Sequence, residues 1–145
     1  LLQHRDSEMR SAQRLKTFNM LEESYNQISS KIIKAAIEVH RNTGPGLLES
    51  VYQHCLFEEF RSLGILFKAQ ARIPLYYKND NTGKDFILDF LVEDKVVVEI
   101  KSFETVLPVH LSQLLTYLRL SNKKLGLLIN FNVPVLKKGI HRRVL

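Results

Sequence analysis

LDFLVEDKVVVEIKS, Leu88 to Ser102, reads as two apolar strands joined by a charged turn, and its reading decides the fold. Val, Leu and Phe dominate both arms, yet Asp89, Glu99 and Lys101 sit inside them. An unpaired charge is costly to bury, so such residues stay outside unless they are paired or bind a metal. Side chains alternate along a strand, so Glu99 and Lys101 share one face while Ile100 joins Val96 and Val98 on the other. With a three-residue turn at Glu93–Lys95, Val92 faces Val96 and Asp89 faces Glu99, with Cβ atoms about 5 Å apart. Two carboxylates that close repel unless a cation or a proton lies between them, and a divalent metal does this well. A salt bridge from Lys101 to one or both acids is the structural alternative. A slip of one residue in register would place the acids on opposite faces.

Outward from this hairpin the periodicity changes. NQISSKIIKAAIEVHRN carries Ile28, Ile32, Ala35, Ala36 and Val39 at helical spacing, with Asn26 as N-cap and Gly44 as stop. Gly44-Pro45-Gly46 breaks that helix, and a second begins in LLESVYQHCLFEEFRSLG, with Leu48, Val51, Cys55, Leu56, Phe60 and Leu63 on its apolar face. ILFKAQARIPLYYK reads as one or two strands with Pro74 at an edge or bulge, and Asn79–Gly83 as a turn. Pro108 suits the first turn of a third helix, on which Leu111, Leu114, Leu115 and Leu118 make a stripe. KLGLLINF reads as a strand buried on both faces. The order is helix, helix, three strands, helix, strand, an α/β architecture with a mixed sheet. Residues 1–25 are expected to form a partly helical or disordered arm, with Met20 read as a natural start, and residues 26–145 the domain.

Composition narrows the partners. The formal charge is +6 and the pI about 9.5, which favours an acidic partner such as nucleic acid, although the basic residues are scattered. Cys55 is alone, so a disulfide framework and a Cys-based zinc site are both excluded. A reducing, cytoplasmic setting is expected, and with no apolar run near the roughly 20 residues a bilayer requires, no membrane partner.

An acidic residue in one strand followed in the next by Glu-x-Lys, here Asp89 then Glu99-Ile100-Lys101, resembles the PD-(D/E)XK nuclease superfamily. GPGLLESVY resembles the signature of its GxxExxY branch, read as Gly46, Glu49 and Tyr52, and LPVHLSQLLTYLRL and KLGLLINFNVPVLKKGI resemble that branch's closing segments. The likeness runs from Asn26 to Arg143. It implies a restriction-endonuclease-like α-β-β-β-α-β core with a mixed central sheet flanked by helices, plus an extra N-terminal helix. It also implies an enzyme, a Mg²⁺- or Mn²⁺-dependent nuclease acting on nucleic acid, DNA first. A small nuclease that cuts both strands commonly works as a dimer, so a homodimer is admitted. The rival is a non-catalytic nucleic-acid- or protein-binding module on the same fold.

On this resemblance Asp89 and Glu99 hold the metal, joined by the Ile100 carbonyl, and Lys101 orients the attacking water and stabilises charge on the phosphate. Glu49 is a further ligand or base, although a first-turn carboxylate also serves the helix dipole. Tyr52, one turn on, either holds that carboxylate or is an ordinary core residue. His40 is either an imidazole ligand or a helix C-terminal histidine. Gln113 and Tyr117 share a helix face and either touch the site or form a polar edge. Lys123, Lys124, Lys137, Lys138, Arg142 and Arg143 are candidate phosphate contacts.

Overall fold

The computed structural model describes residues 1–145. Helix α1 spans Leu2–Thr43, 42 residues, with no break at Asn26. No Gly or Pro interrupts this stretch and helix formers fill it, so the helix runs on where a cap was expected. Asn26 instead uses its side-chain oxygen to accept from Arg142 Nη1 at 3.2 Å. Residues 1–23 are all exposed, and burial begins at Ile28, continuing through Ile32, Ala35, Ala36 and Val39. Gly44 ends α1 at φ 73°, a left-handed conformation that glycine adopts without steric cost. Helix α2 follows at Glu49–Ser62 and buries Tyr52, Leu56 and Phe60.

Strands β1 (Phe67–Tyr77), β2 (Asp80–Val92), β3 (Val96–Lys101), β4 (Leu125–Asn130) and β5 (Ile140–Val144) form one sheet in chain order. All neighbours are antiparallel except β3 and β4, which are parallel and joined through helix α3 (Pro108–Ser121). This is the mixed-sheet α/β class expected. The β2–β3 turn is Glu93–Lys95, and the pairs are Val92↔Val96, Leu91↔Val97 and Phe90↔Val98. The β1–β2 turn is the pair Lys78–Asn79, both at positive φ, rather than the whole of Asn79–Gly83. Such a two-residue turn matches strand twist, so β2 starts at Asp80. Pro74 marks a register shift in the edge strand β1. The basic C-terminal stretch is a short 3-10 turn, Leu136–Gly139, and then β5.

The sheet separates two apolar layers. Val96, Val98 and Ile100 of β3 pack with α1 and α2, against Ile32, Ala36, Tyr52, Leu56 and Phe60. Val97 and Leu128 pack on the opposite face against Leu114 and Leu118 of α3. By alternation Glu99 and Lys101 belong to the α3 face. No helix is long and apolar enough to cross a membrane.

Two glycines test this packing. A Cβ on Gly139 would strike the backbone carbonyl of Asn130, whereas on Gly126 it would meet the tip of the Leu114 side chain at 2.7 Å. A side chain can turn aside and a strand carbonyl cannot. Gly139→Ala should therefore cost about 2–4 kcal/mol and Gly126→Ala about 1, read from urea midpoints at unchanged slope. Equal losses would contradict the packing described.

Candidate active site

The β2–β3 ladder ends at Phe90↔Val98, one residue short of Asp89. The β1–β2 ribbon kinks at the same level. Ala69 pairs with Phe90 and Ala71 with Leu88, leaving Gln70 and Asp89 between them, and Gln70 lies at φ 52°. On one side of this point Ala69 and Phe90 pack with the α1–α2 layer, and on the other Ala71 and Leu88 pack with α3. In a regular strand residues two apart share a face, so the ribbon turns over here. The turn delivers the Asp89 carboxylate to β3, where Oδ2 accepts the N–H of Ile100 at 2.8 Å. Asp89 and Glu99 are thereby neighbours, and their charges couple.

Glu99 is only 3% exposed, and its Oε1 has no hydrogen-bond partner. Burial first, and then the Asp89 carboxylate, pushes the Glu99 carboxyl up to about 10, while Lys101 acts in the opposite direction. Burial and the Asp89 charge both favour the protonated acid. Glu49, the first residue of α2, is half-buried. Its carboxyl is also raised, by burial first, with Lys101 lowering it and Asp89 raising it. The phenol of Tyr117 is raised by burial and then by the charges of Glu99 and Asp89. Glu49, Asp89, Glu99, Lys101 and Tyr117 therefore form one electrostatic cluster drawn from two helices and two strands. The Lys101 ammonium stands 5.8 Å from the Phe103 ring centroid, within cation–π reach.

The other expected residues lie differently. Tyr52 is fully buried, and its hydroxyl donates to Gly44 O at 2.6 Å and accepts from Leu47 N at 3.2 Å. It clamps the Gly44–Leu48 loop and does not hold the Glu49 carboxylate. The His40 ring donates through Nε2 to the Val133 carbonyl at 2.8 Å, and no hydrogen bond or charge coupling joins it to the acids. Its place at the end of α1 thus ties that helix to the loop after β4. Gln113 is exposed and makes no side-chain hydrogen bond within the chain, whereas Tyr117, on the same helix face, leans on Phe86 at 5.0 Å. Ile100 offers its N–H to Asp89, and its side chain lies in the α1–α2 layer.

Four residues of the frame carry no periodic signal and escape sequence reading. Asn130, 2% exposed, accepts from Phe103 N at 2.8 Å and donates to Phe103 O at 3.0 Å, which fixes the chain just past Lys101. Ser102 Oγ donates to Leu47 O at 2.7 Å and ties that same turn to the loop before Glu49. Gln53 Nε2 donates to Glu49 Oε1 at 3.4 Å, and Gln70 Nε2 to Gln53 Oε1 at 3.1 Å. Their signal is local: Gln53 lies one helical turn beyond Glu49, and Ser102 directly follows the Glu-x-Lys run.

The donor set admits a hard cation but is not a closed cage. No group of three or more His, Cys, Asp or Glu side chains is assembled to hold an ion. Mg²⁺ characteristically takes one or two carboxylates and keeps several waters, which matches a buried acid with a bare oxygen beside a second acid. Neither Glu49, Asp89 nor Glu99 lines the chain's three larger cavities. Among known proteins, the model of the PD-(D/E)XK nuclease superfamily matches residues 26–143. No curated protein and no solved structure matches.

The raised carboxyl of Glu99 has a signed effect on stability. A folded pKa above the unfolded value favours folding fully below about 4.5, and that contribution is lost as pH rises toward about 10. In chelator, Glu99→Gln should be more stable than the native chain, by an amount that widens by about 1–3 kcal/mol between about pH 6 and about pH 9. Urea unfolding at both pH values measures it, and a pH-independent difference would contradict the burial argument. Tyr52→Phe should cost about 1 kcal/mol by the same assay, with the Gly44–Leu48 amides exchanging faster. Unaltered exchange there would show that the hydroxyl does not hold the loop.

Proposed function

We infer the function from one premise: the chain belongs to the PD-(D/E)XK nuclease superfamily, so its activity is nuclease-type. The observation that carries the finer reading is the bare Oε1 of buried Glu99 beside Asp89, two residues before Lys101. A carboxylate is kept so dry at a cost that only a cation or a proton offsets. The reading is a metal-dependent hydrolase of nucleic-acid phosphodiesters, with DNA the first substrate to test. Asp89 and Glu99 would hold Mg²⁺ or Mn²⁺, with the Ile100 carbonyl as a further oxygen and Glu49 beside them as the base. His40 is left out because no group of three or more His, Cys, Asp or Glu side chains brings it together with the acids. Gly46, Glu49 and Tyr52 support placement in the GxxExxY branch, with Tyr52 serving the loop that carries the acid.

A bound divalent ion would neutralise the scissile phosphate and acidify water. The chain's own groups do the rest. Lys101 lies within charge reach of both Glu49 and Glu99, where its ammonium meets the negative charge that builds on the phosphate oxygens. Glu49, its carboxyl raised by burial, takes a proton from the attacking water. The water oxygen bonds to phosphorus, one ester P–O bond breaks, and the departing oxygen is protonated. The products are a phosphomonoester end and a hydroxyl end. Tyr117 is held against Phe86 with its phenol neutral, so it offers a donor to a phosphate oxygen. The net charge of +6 favours polyanion binding, and a homodimer would pair two such sites on a duplex.

One observation favours the second reading, a binding module without catalysis: the chain assembles no three-donor ion cage. Tight, salt-sensitive binding that needs no metal and survives Glu99→Ala would establish it. For the leading reading, plasmid, linear and single-stranded DNA are incubated with Mg²⁺ or Mn²⁺. Glu99→Ala and Lys101→Ala should each lower cleavage by about 10²-fold or more. Native chain that cuts no better than these variants on every substrate and metal would overturn it.

A further inference from the structure

Gln70 is connected to both sides of the acid cluster, and neither connection follows from packing. Its backbone is at φ 52°, a region that non-glycine residues rarely occupy. It stands opposite Asp89 at the point where the ribbon changes faces. Its exposed side chain turns away from the sheet to donate to Gln53 Oε1, and Gln53 in turn donates to Glu49 Oε1. Both glutamines border a cavity of about 290 Å³ between α2 and β1. Solvent-open amide pairs add little to stability, because water competes for each bond. A strained residue kept for such a pair therefore points to a task other than holding the core together.

We propose that Gln70 and Gln53 are positioning residues that aim the Glu49 carboxylate into the cluster with Asp89, Glu99 and Lys101. The chain of donors has a fixed sense. Gln53 has one amide oxygen, occupied by Gln70, which leaves its NH₂ turned to Glu49. Loss of Gln70 removes the bond that fixes the Gln53 amide, so Glu49 is held less firmly. Because the kink at Gln70 also accompanies the delivery of Asp89 to Ile100, one residue coordinates the placement of two acids on different elements.

The proposal rests on the nuclease reading for its kinetic test but not for its spectroscopic one. Gln70→Gly retains the left-handed backbone without steric cost and removes an exposed side chain with its amide, so folding is preserved. In ¹⁵N NMR of the full chain, the side-chain amide pair of Gln53 should shift both in Gln70→Gly and in Glu49→Gln. Gln53 resonances at free-amide positions, unmoved by either substitution, would overturn the proposal whatever the protein cleaves. In metal-dependent DNA cleavage, Gln53→Ala and Gln70→Gly should each cost about tenfold in the native background and less than about twofold on top of Glu49→Gln. Equal losses in both backgrounds would show that the glutamines do not act through Glu49. If the native chain does not cleave, the nuclease reading fails while the amide shifts still decide the relay.

Discussion

A carboxylate inside the apolar face of a sheet is the constraint on which this structure depends. Glu99 lies between Val97 and Lys101 on β3 and opposite Leu128 on β4, where any other acid-free sequence would continue the leucine and valine layer. Burying it ionised and alone would cost several kcal/mol, so the fold must offer a proton, a cation or a partner. The surroundings offer each in part. The Asp89 charge favours the protonated form of Glu99, Lys101 supplies a positive charge at the strand end, and one oxygen is left bare. On the proposed reading a divalent ion would relieve the cost that a proton otherwise offsets.

The remaining features fix the approach of chain segments to that acid. The early end of the β2–β3 ladder leaves the Ile100 N–H for Asp89, so a side chain takes the place of a strand partner. Asn130 grips Phe103 from both backbone atoms, Ser102 reaches the Leu47 carbonyl, and Tyr52 spans Gly44 and Leu47. These bonds connect the turn after Lys101 to the loop before Glu49. The cluster is therefore held by backbone tethers at its rim, and the aliphatic layers on either side only set the height of the sheet.

The hairpin was legible because two physical signals coincided: alternation placed the valines inside, and the Glu93–Lys95 turn set the register. The buried strand KLGLLINF and the helix after Leu107 were legible from run length and from Pro108. The extent of α1 was not, since a polar helix without Gly or Pro has no stop signal, and Asn26 resembles a cap whether or not the helix ends there. The roles of His40 and Tyr52 depended on the direction of one ring nitrogen and one hydroxyl, which residue type does not reveal. Asn130, Gln53 and Gln70 were missed because single amides carry no periodicity. Gln70 in addition owes its place to a backbone turn that a strand pattern conceals.

The central claim is that Glu99 is buried for a divalent cation, and the effect of that cation on folding tests it without any substrate. Equilibrium urea unfolding of the native chain and of Glu99→Gln would be compared at about pH 8, in chelator and in saturating Mn²⁺. The native chain should gain about 1–3 kcal/mol with Mn²⁺, and Glu99→Gln nothing beyond error. A native chain indifferent to Mn²⁺, or a Glu99→Gln chain that gains as much, would contradict the account.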